Sequence, residues 1–250
     1  MLTLWAKTSG TWINIFLVIL GTLSGLLLRN RLSASMRTII TQAVGLMTIF
    51  IGLSMANALS GISAGGVEGV ILGLLALVFG GLLGEWWELE SRLVALGNWI
   101  KGRVQGGGRF TEGFVAASLL FCSGPMAILG SLNNGLLEDN TILVIKSTMD
   151  GLVSIALTGT YGIGVGFSVF PILIYQGGLS LLSSALAQST PNPETAPNVL
   201  LVTGVGGVMI LGLGLNLLEA SKIRIASFIP ALLLGPVIFK IAILLLGGDT

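Results

Sequence analysis

The chain contains no histidine and a single cysteine, Cys122, and these two shortages remove most enzyme chemistry at the outset. Without histidine there is no imidazole base and no His-containing zinc set, and one cysteine closes no disulfide within the chain. Cys122 has no evident base beside it in the sequence, and no phosphate loop, metal motif or nucleophile elbow occurs. Charge is scarce as well. Charged residues are 9% of the 250, twelve basic and eleven acidic, for a net charge of +1, against about 25% charged in soluble domains. That leaves no basic face for nucleic acid and too few polar side chains to coat a soluble fold. No catalytic residue, cofactor, metal site or nucleic-acid partner is therefore expected.

What is abundant is apolar surface and glycine: 53% hydrophobic residues and 37 glycines. Apolar runs of about 20 residues recur, the length that crosses the hydrocarbon core as helix. Glycine suits close helix packing in lipid. The expected fold is an all-α, polytopic membrane helix bundle in a lipid bilayer, a single integral domain over 1–250. Eight spans are expected, at 13–28, 39–59, 69–83, 114–132, 142–160, 162–187, 199–218 and 226–246; a kink near Gly162 instead of a turn gives seven. The first run follows only Lys7 and lacks a small-residue cleavage site, so it reads as a retained span.

Charge asymmetry sets the orientation. Arg29, Arg31 and Arg37 occupy the first loop, Arg92, Lys101, Arg103 and Arg109 the third, and Lys222 and Arg224 the seventh. With eight spans these nine of the twelve basic residues share one side, which is then cytoplasmic, and both termini face out. Within the third loop, segment 85–110 carries Leu89, Leu93, Leu96 and Ile100 at helical spacing beside Trp86, Trp87 and Trp99. It is expected to lie on the cytoplasmic membrane surface.

The stretch "EGFVAASLLFCSGPMAILGSL" from Glu112, with "INIFLVILGTLSGLLLRNRL" from Ile13, "QAVGLMTIFIGLSMA" from Gln42, "KSTMDGLVSIAL" from Lys146 and "GLGLNLL" from Gly212, resembles the uncharacterised bacterial membrane-protein family of domain of unknown function 554, the YdfK/YqgA-like group. The likeness runs over nearly the whole chain. It implies a multi-pass protein of the bacterial inner membrane and carries no substrate with it.

An internal echo is present. "GLMTIFIGLSM" (from Gly45) and "GVMILGLGLNL" (from Gly207) match at Gly45/Gly207, Met47/Met209, Gly52/Gly214 and Leu53/Leu215; "ALVFGGLL" from Ala76 resembles "ALLLGPVI" from Ala231, and "GTLS" from Gly21 resembles "GGLS" from Gly177. The shared order gives a 3+2+3 arrangement, halves 13–84 and 162–246 flanking a central pair 114–160. With eight spans the halves are inverted, as in many secondary transporters.

The central pair carries the candidate site. Gly124 and Pro125 interrupt the fourth span near its middle, and proline offers no N–H to the carbonyl of Phe121. That carbonyl, with Cys122 and Ser123, forms one side. In the fifth span Asp150 stands near the centre with Lys146 one turn away, and Lys146, Ser147, Asp150, Gly151, Ser154 and Thr158 share an arc of roughly 140°. Lys and Asp at this depth cost about 5–7 kcal/mol to insert, and the eight Ile, Leu and Val residues of the span return about 2.5–5 kcal/mol, so the polar stripe should face other spans. Asn216 is a lesser candidate, with Asn14 and Gln176 behind it. The Gly21/Gly25, Gly69/Gly73, Gly80/Gly84 and Gly162/Gly166 pairs are read as packing faces, with a homo-oligomer contact as the alternative. The leading functional expectation is a small secondary transporter for an unknown solute or ion, coupled to protons or sodium. A non-transporting adaptor or assembly factor that presents 85–101 to a partner is the alternative, and a passive channel the third reading.

Overall fold

The computed structural model describes residues 4–29, 31, 33–104, 107–122, 125–186 and 197–246. The elements run α1 (Leu4–Arg29), α2 (Ala34–Ala56), a 3-10 turn, the strands β1 (Ser63–Ala64) and β2 (Val67–Glu68), α3 (Gly69–Trp86), α4 (Leu89–Arg103), α5 (Phe110–Cys122), α6 (Pro125–Leu137), α7 (Thr141–Tyr161), a 3-10 turn at Ile163–Ser168, α8 (Val169–Ile172), a π-helical turn at Leu173–Gly177, α9 (Gly178–Leu186), α10 (Pro197–Leu217), a 3-10 turn at Ile225–Phe228 and α11 (Ile229–Leu246). Among the described residues seven helical stretches are long and apolar enough to cross a bilayer. α5 and α6 have 13 residues each, about 20 Å of helix, too short to cross singly. The two are inclined by 73°, so the described residues hold seven spans with the pair as a re-entrant loop and eight with it as one broken span. The fold is an all-α membrane bundle.

The fourth expected span is two helices, α5 and α6, with Pro125 as the first residue of α6, the helical position where a missing N–H forfeits nothing. The first begins at Leu4, not at residue 13. The stretch "TSGT" reads as polar, yet Thr8 Oγ1 donates to the Leu4 carbonyl at 2.8 Å and Ser9 Oγ to that of Ala6 at 2.9 Å. Hydroxyls satisfied by their own helix can enter a membrane without other partners.

The chain forms two compact units, Met1–Val44 with Val94–Pro191, and Gly45–Leu93 with Asn192–Thr250. In the first, α1 packs along α7 at a spacing that glycine sets. A methyl group at Gly21 would stand 2.1 Å from the Gly151 carbonyl oxygen, and one at Gly25 2.6 Å from that of Ile155. In the second unit α3 lies on α11 and the turn before it by the same device: a methyl at Gly80 would meet Ala231 N at 2.4 Å, and one at Gly84 the Ser227 carbonyl oxygen at 1.9 Å. The glycines of all four G-x-x-x-G pairs meet atoms of their own chain, so these faces are occupied within the protomer.

The second unit has an apolar core of Leu59, Ile62, Ala64, Leu72, Leu201, Phe239 and Ala242. Its short hairpin pairs Ser63 with Glu68 and Ala64 with Val67 across Gly65 and Gly66, both at positive φ, as a two-residue hairpin turn requires. Its α2 and α10 cross through glycines. A methyl at Gly52 would reach the Gly207 carbonyl oxygen at 2.9 Å and one at Gly207 that of Gly52 at 2.8 Å; Gly45 and Gly214 stand in the same mutual relation, at 3.4 and 3.0 Å.

Candidate functional site

The site lies in the first unit, and α7 is turned to build it. The buried residues of α7 include Lys146, Ser147, Asp150, Gly151, Ser154 and Thr158, whereas Ile145, Met149 and Leu152 are exposed. The polar stripe therefore faces protein and the apolar face is left for lipid. Asp150 is 8% exposed and Lys146 5%. Lys146 Nζ donates to Asp150 Oδ2 one turn along the helix.

A second donor arrives from α1. Asn14 is fully buried, and its Nδ2 donates to the same Asp150 oxygen at 3.0 Å. It also donates to Gln176 Oε1 at 2.9 Å. Gln176, fully buried too, belongs to the π-helical turn Leu173–Gly177, a feature often found at functional sites. One carboxylate, one ammonium and two carboxamides thus form a chain from α7 through α1 to the π turn. The glycine contacts of α1 make this reach possible, since Gly10, Asn14, Gly21 and Gly25 are all on its buried face.

This polar interior is incompletely satisfied. Among the described residues Asn14 Oδ1, Gln176 Nε2 and the hydroxyls of Thr11, Thr22, Ser154, Thr158 and Ser168 are buried without a hydrogen-bond partner. An unmet polar group away from water costs about 1–3 kcal/mol, so each of these buried groups calls for a physical explanation. No three His, Cys, Asp or Glu side chains cluster among the described residues.

The remaining expected site residues fall as follows. Phe121 is fully buried in α5. Cys122 ends α5, half-buried, within electrostatic range of Lys146 and Asp150. Ser123 and Gly124 lie outside the described residues. Asn216 belongs to the second unit and closes the loop after α10: its Nδ2 donates to the Ile223 carbonyl at 2.7 Å, and its Oδ1 accepts from Ile223 N at 2.8 Å and Ser221 Oγ at 2.9 Å. Its polar atoms are spent on the fold. Sequence reasoning passed over Asn134, which is fully buried. Its Oδ1 accepts from Gly10 N at 3.0 Å and its Nδ2 donates to the Ala6 carbonyl at 3.0 Å. Its carboxamide therefore grips two groups one helical turn apart in α1.

The family model described as "Protein of unknown function (DUF554)" matches residues 9–240. The chain belongs to the DUF554 family. The DUF554 chain is 31% identical over 229 residues to "Uncharacterized membrane protein YdfK" of Bacillus subtilis (strain 168), covering 92% of this chain and 94% of that protein. It is 29% identical over 237 residues to "Uncharacterized protein YqgA" of Escherichia coli (strain K12), covering 90% and 94%. No solved structure matches it. DUF554 membership thus establishes a membrane protein and leaves its activity to be argued from the polar interior just described.

Proposed function

We propose that the protein is a small secondary transporter of the bacterial cytoplasmic membrane, coupled to protons or sodium at Asp150. The observation that carries this reading is a buried carboxylate in a membrane span, held by Lys146 and Asn14 in a unit whose interior contains further unpartnered polar groups. A purely structural network gains from being complete, and a partly satisfied one is worse than an apolar core. Lys146 and Asn14 Nδ2 converge on a single oxygen, Asp150 Oδ2. A proton or Na⁺ arriving there replaces the ammonium as the counter-charge. Asn14 Oδ1 and Ser154 Oγ are the nearby neutral oxygens without a partner, the ligand type that hard cations prefer. We assign no catalytic role to any residue.

Alternating access finds support in the repeat. Gly45/Gly207 and Gly52/Gly214 are matched at an offset of 162 residues, and their contacts are reciprocal in the manner of a two-fold crossing. Orientation rests on charge: Arg29 reaches Gly162 and Gly108, Lys101 donates to the Gly108 carbonyl and Arg109 lies over the Tyr161 ring. This cationic end is taken as cytoplasmic, with both termini outside.

The test is charge displacement in proteoliposomes on a solid-supported membrane after Na⁺ or pH jumps. We expect a displacement for the parent and none for Asp150→Asn. A parent that responds to neither cation, or an Asp150→Asn protein that responds like it, overturns the proposal. The adaptor reading draws on Trp86 and Trp99, which are 78% and 59% exposed. It wins if a soluble partner that co-purifies with the parent and with Asp150→Asn is lost when both tryptophans are replaced with serine.

A further inference from the structure

The face of α1 that bears Trp5 and Trp12 forms, with Ile174, Gly177, Gly178 and Leu181, the walls of an open furrow of about 560 Å³ within the first unit. The relief comes from two consecutive missing side chains. A methyl group at Gly178 would meet nothing within 4 Å. The walls are apolar and partly exposed: Trp5 67%, Trp12 41%, Ile174 76% and Leu181 47%. Thr8 also lines the furrow, but its hydroxyl is already engaged, donating to the Leu4 carbonyl and accepting from Trp12 Nε1 at 3.2 Å. A polar ligand would find nothing to bond with here.

We infer that this furrow holds one acyl chain of a membrane phospholipid. Both walls belong to helical stretches that pass as membrane spans, so the surrounding medium is hydrocarbon and the available filler is an acyl chain. Trp5 and Trp12 stack with ring centroids 6.0 Å apart, and tryptophan is the side chain that marks the level of the headgroups. A partner helix is about 10 Å across, too broad for a groove made by two absent side chains; an alkyl chain matches it. The inner end of the furrow adjoins the polar interior: Gly177 follows Gln176 in the chain and lies against Thr11.

The probe is native mass spectrometry of the whole protein released from nanodiscs of mixed phosphatidylglycerol and phosphatidylcholine. The parent is expected to keep one phospholipid at collision energies that strip the rest. Gly178→Phe, which fills the furrow, should lower that retained species about tenfold. Ile174→Trp narrows the same furrow from an exposed position that leaves packing undisturbed, and should lower it in the same direction even if Gly178→Phe unfolds. Equal retention by a folded Ile174→Trp protein overturns the inference. So does a parent dimer that either furrow variant converts to monomer, since a second copy would then be the occupant.

Discussion

The two units solve the membrane problem in opposite ways. The second buries leucine, isoleucine, phenylalanine and alanine; Arg224 pairs with Glu85 at the end of α3, Glu90 accepts from Ala226 N at 2.8 Å, and Lys240, inside α11, is exposed. Burial holds the Glu90 carboxyl above the usual carboxylate range, against the opposing pull of that amide and of Arg224. The first unit places an ion pair, two carboxamides and a set of unpartnered hydroxyls in its interior. Both use glycine to bring helices together. The difference teaches that close packing is common property here, whereas a buried ion pair belongs to the first unit alone among the described residues.

The largest effect should be one the units share. Gly21→Leu and Gly84→Leu each drive a side chain into a carbonyl that a single methyl already crowds. Both proteins should lose at least about 3 kcal/mol and fail to elute as a single species in detergent. If only one is damaged, glycine packing is not common to both units.

Next comes the ion pair. Asp150→Ala leaves a buried ammonium without its partner and should cost about 3–5 kcal/mol. The double substitution Lys146→Met with Asp150→Leu should recover most of that, because neither charge remains. Thermal unfolding in detergent reads both, and a double variant no more stable than the single would show that the pair is needed for the fold.

A smaller effect separates the two asparagines. Asn14→Leu should cost about 2 kcal/mol and suppress charge displacement, since it strips a donor from Asp150 and Gln176 together. Asn216→Leu should cost about 1 kcal/mol by freeing the Ile223 amide and carbonyl and leave the displacement as in the parent. The smallest effect belongs to Arg224→Gln. Its pair with Glu85 is half exposed or more on both sides, so less than about 1 kcal/mol is at stake.

The bundle was legible because apolar length and loop charge are written directly along the chain, and Asp150 stood out for the same reason. Asn14 did not. The hydroxyls of Thr8 and Ser9 disguised two turns of α1 as a polar lead-in, which put Asn14 near an end when the helix in fact continues past it to Leu4. Gln176 owes its burial to a change of helical ladder within its span, and nothing in local composition announces a π turn. Asn134 acts on backbone groups more than 120 residues away, a tertiary contact without a local signature. Asn216 looked functional because a polar residue inside an apolar run usually is, yet a loop only seven residues on consumes its hydrogen bonds.

The most direct measurement is charge displacement by the Lys146→Met/Asp150→Leu protein, reconstituted beside the parent and shown by its melting profile to be folded. If the buried pair is where a cation couples to movement, this protein is intact and electrically silent after both Na⁺ and pH jumps. A folded double variant that displaces as much charge as the parent would mean that the pair is structural and that the coupling site lies elsewhere.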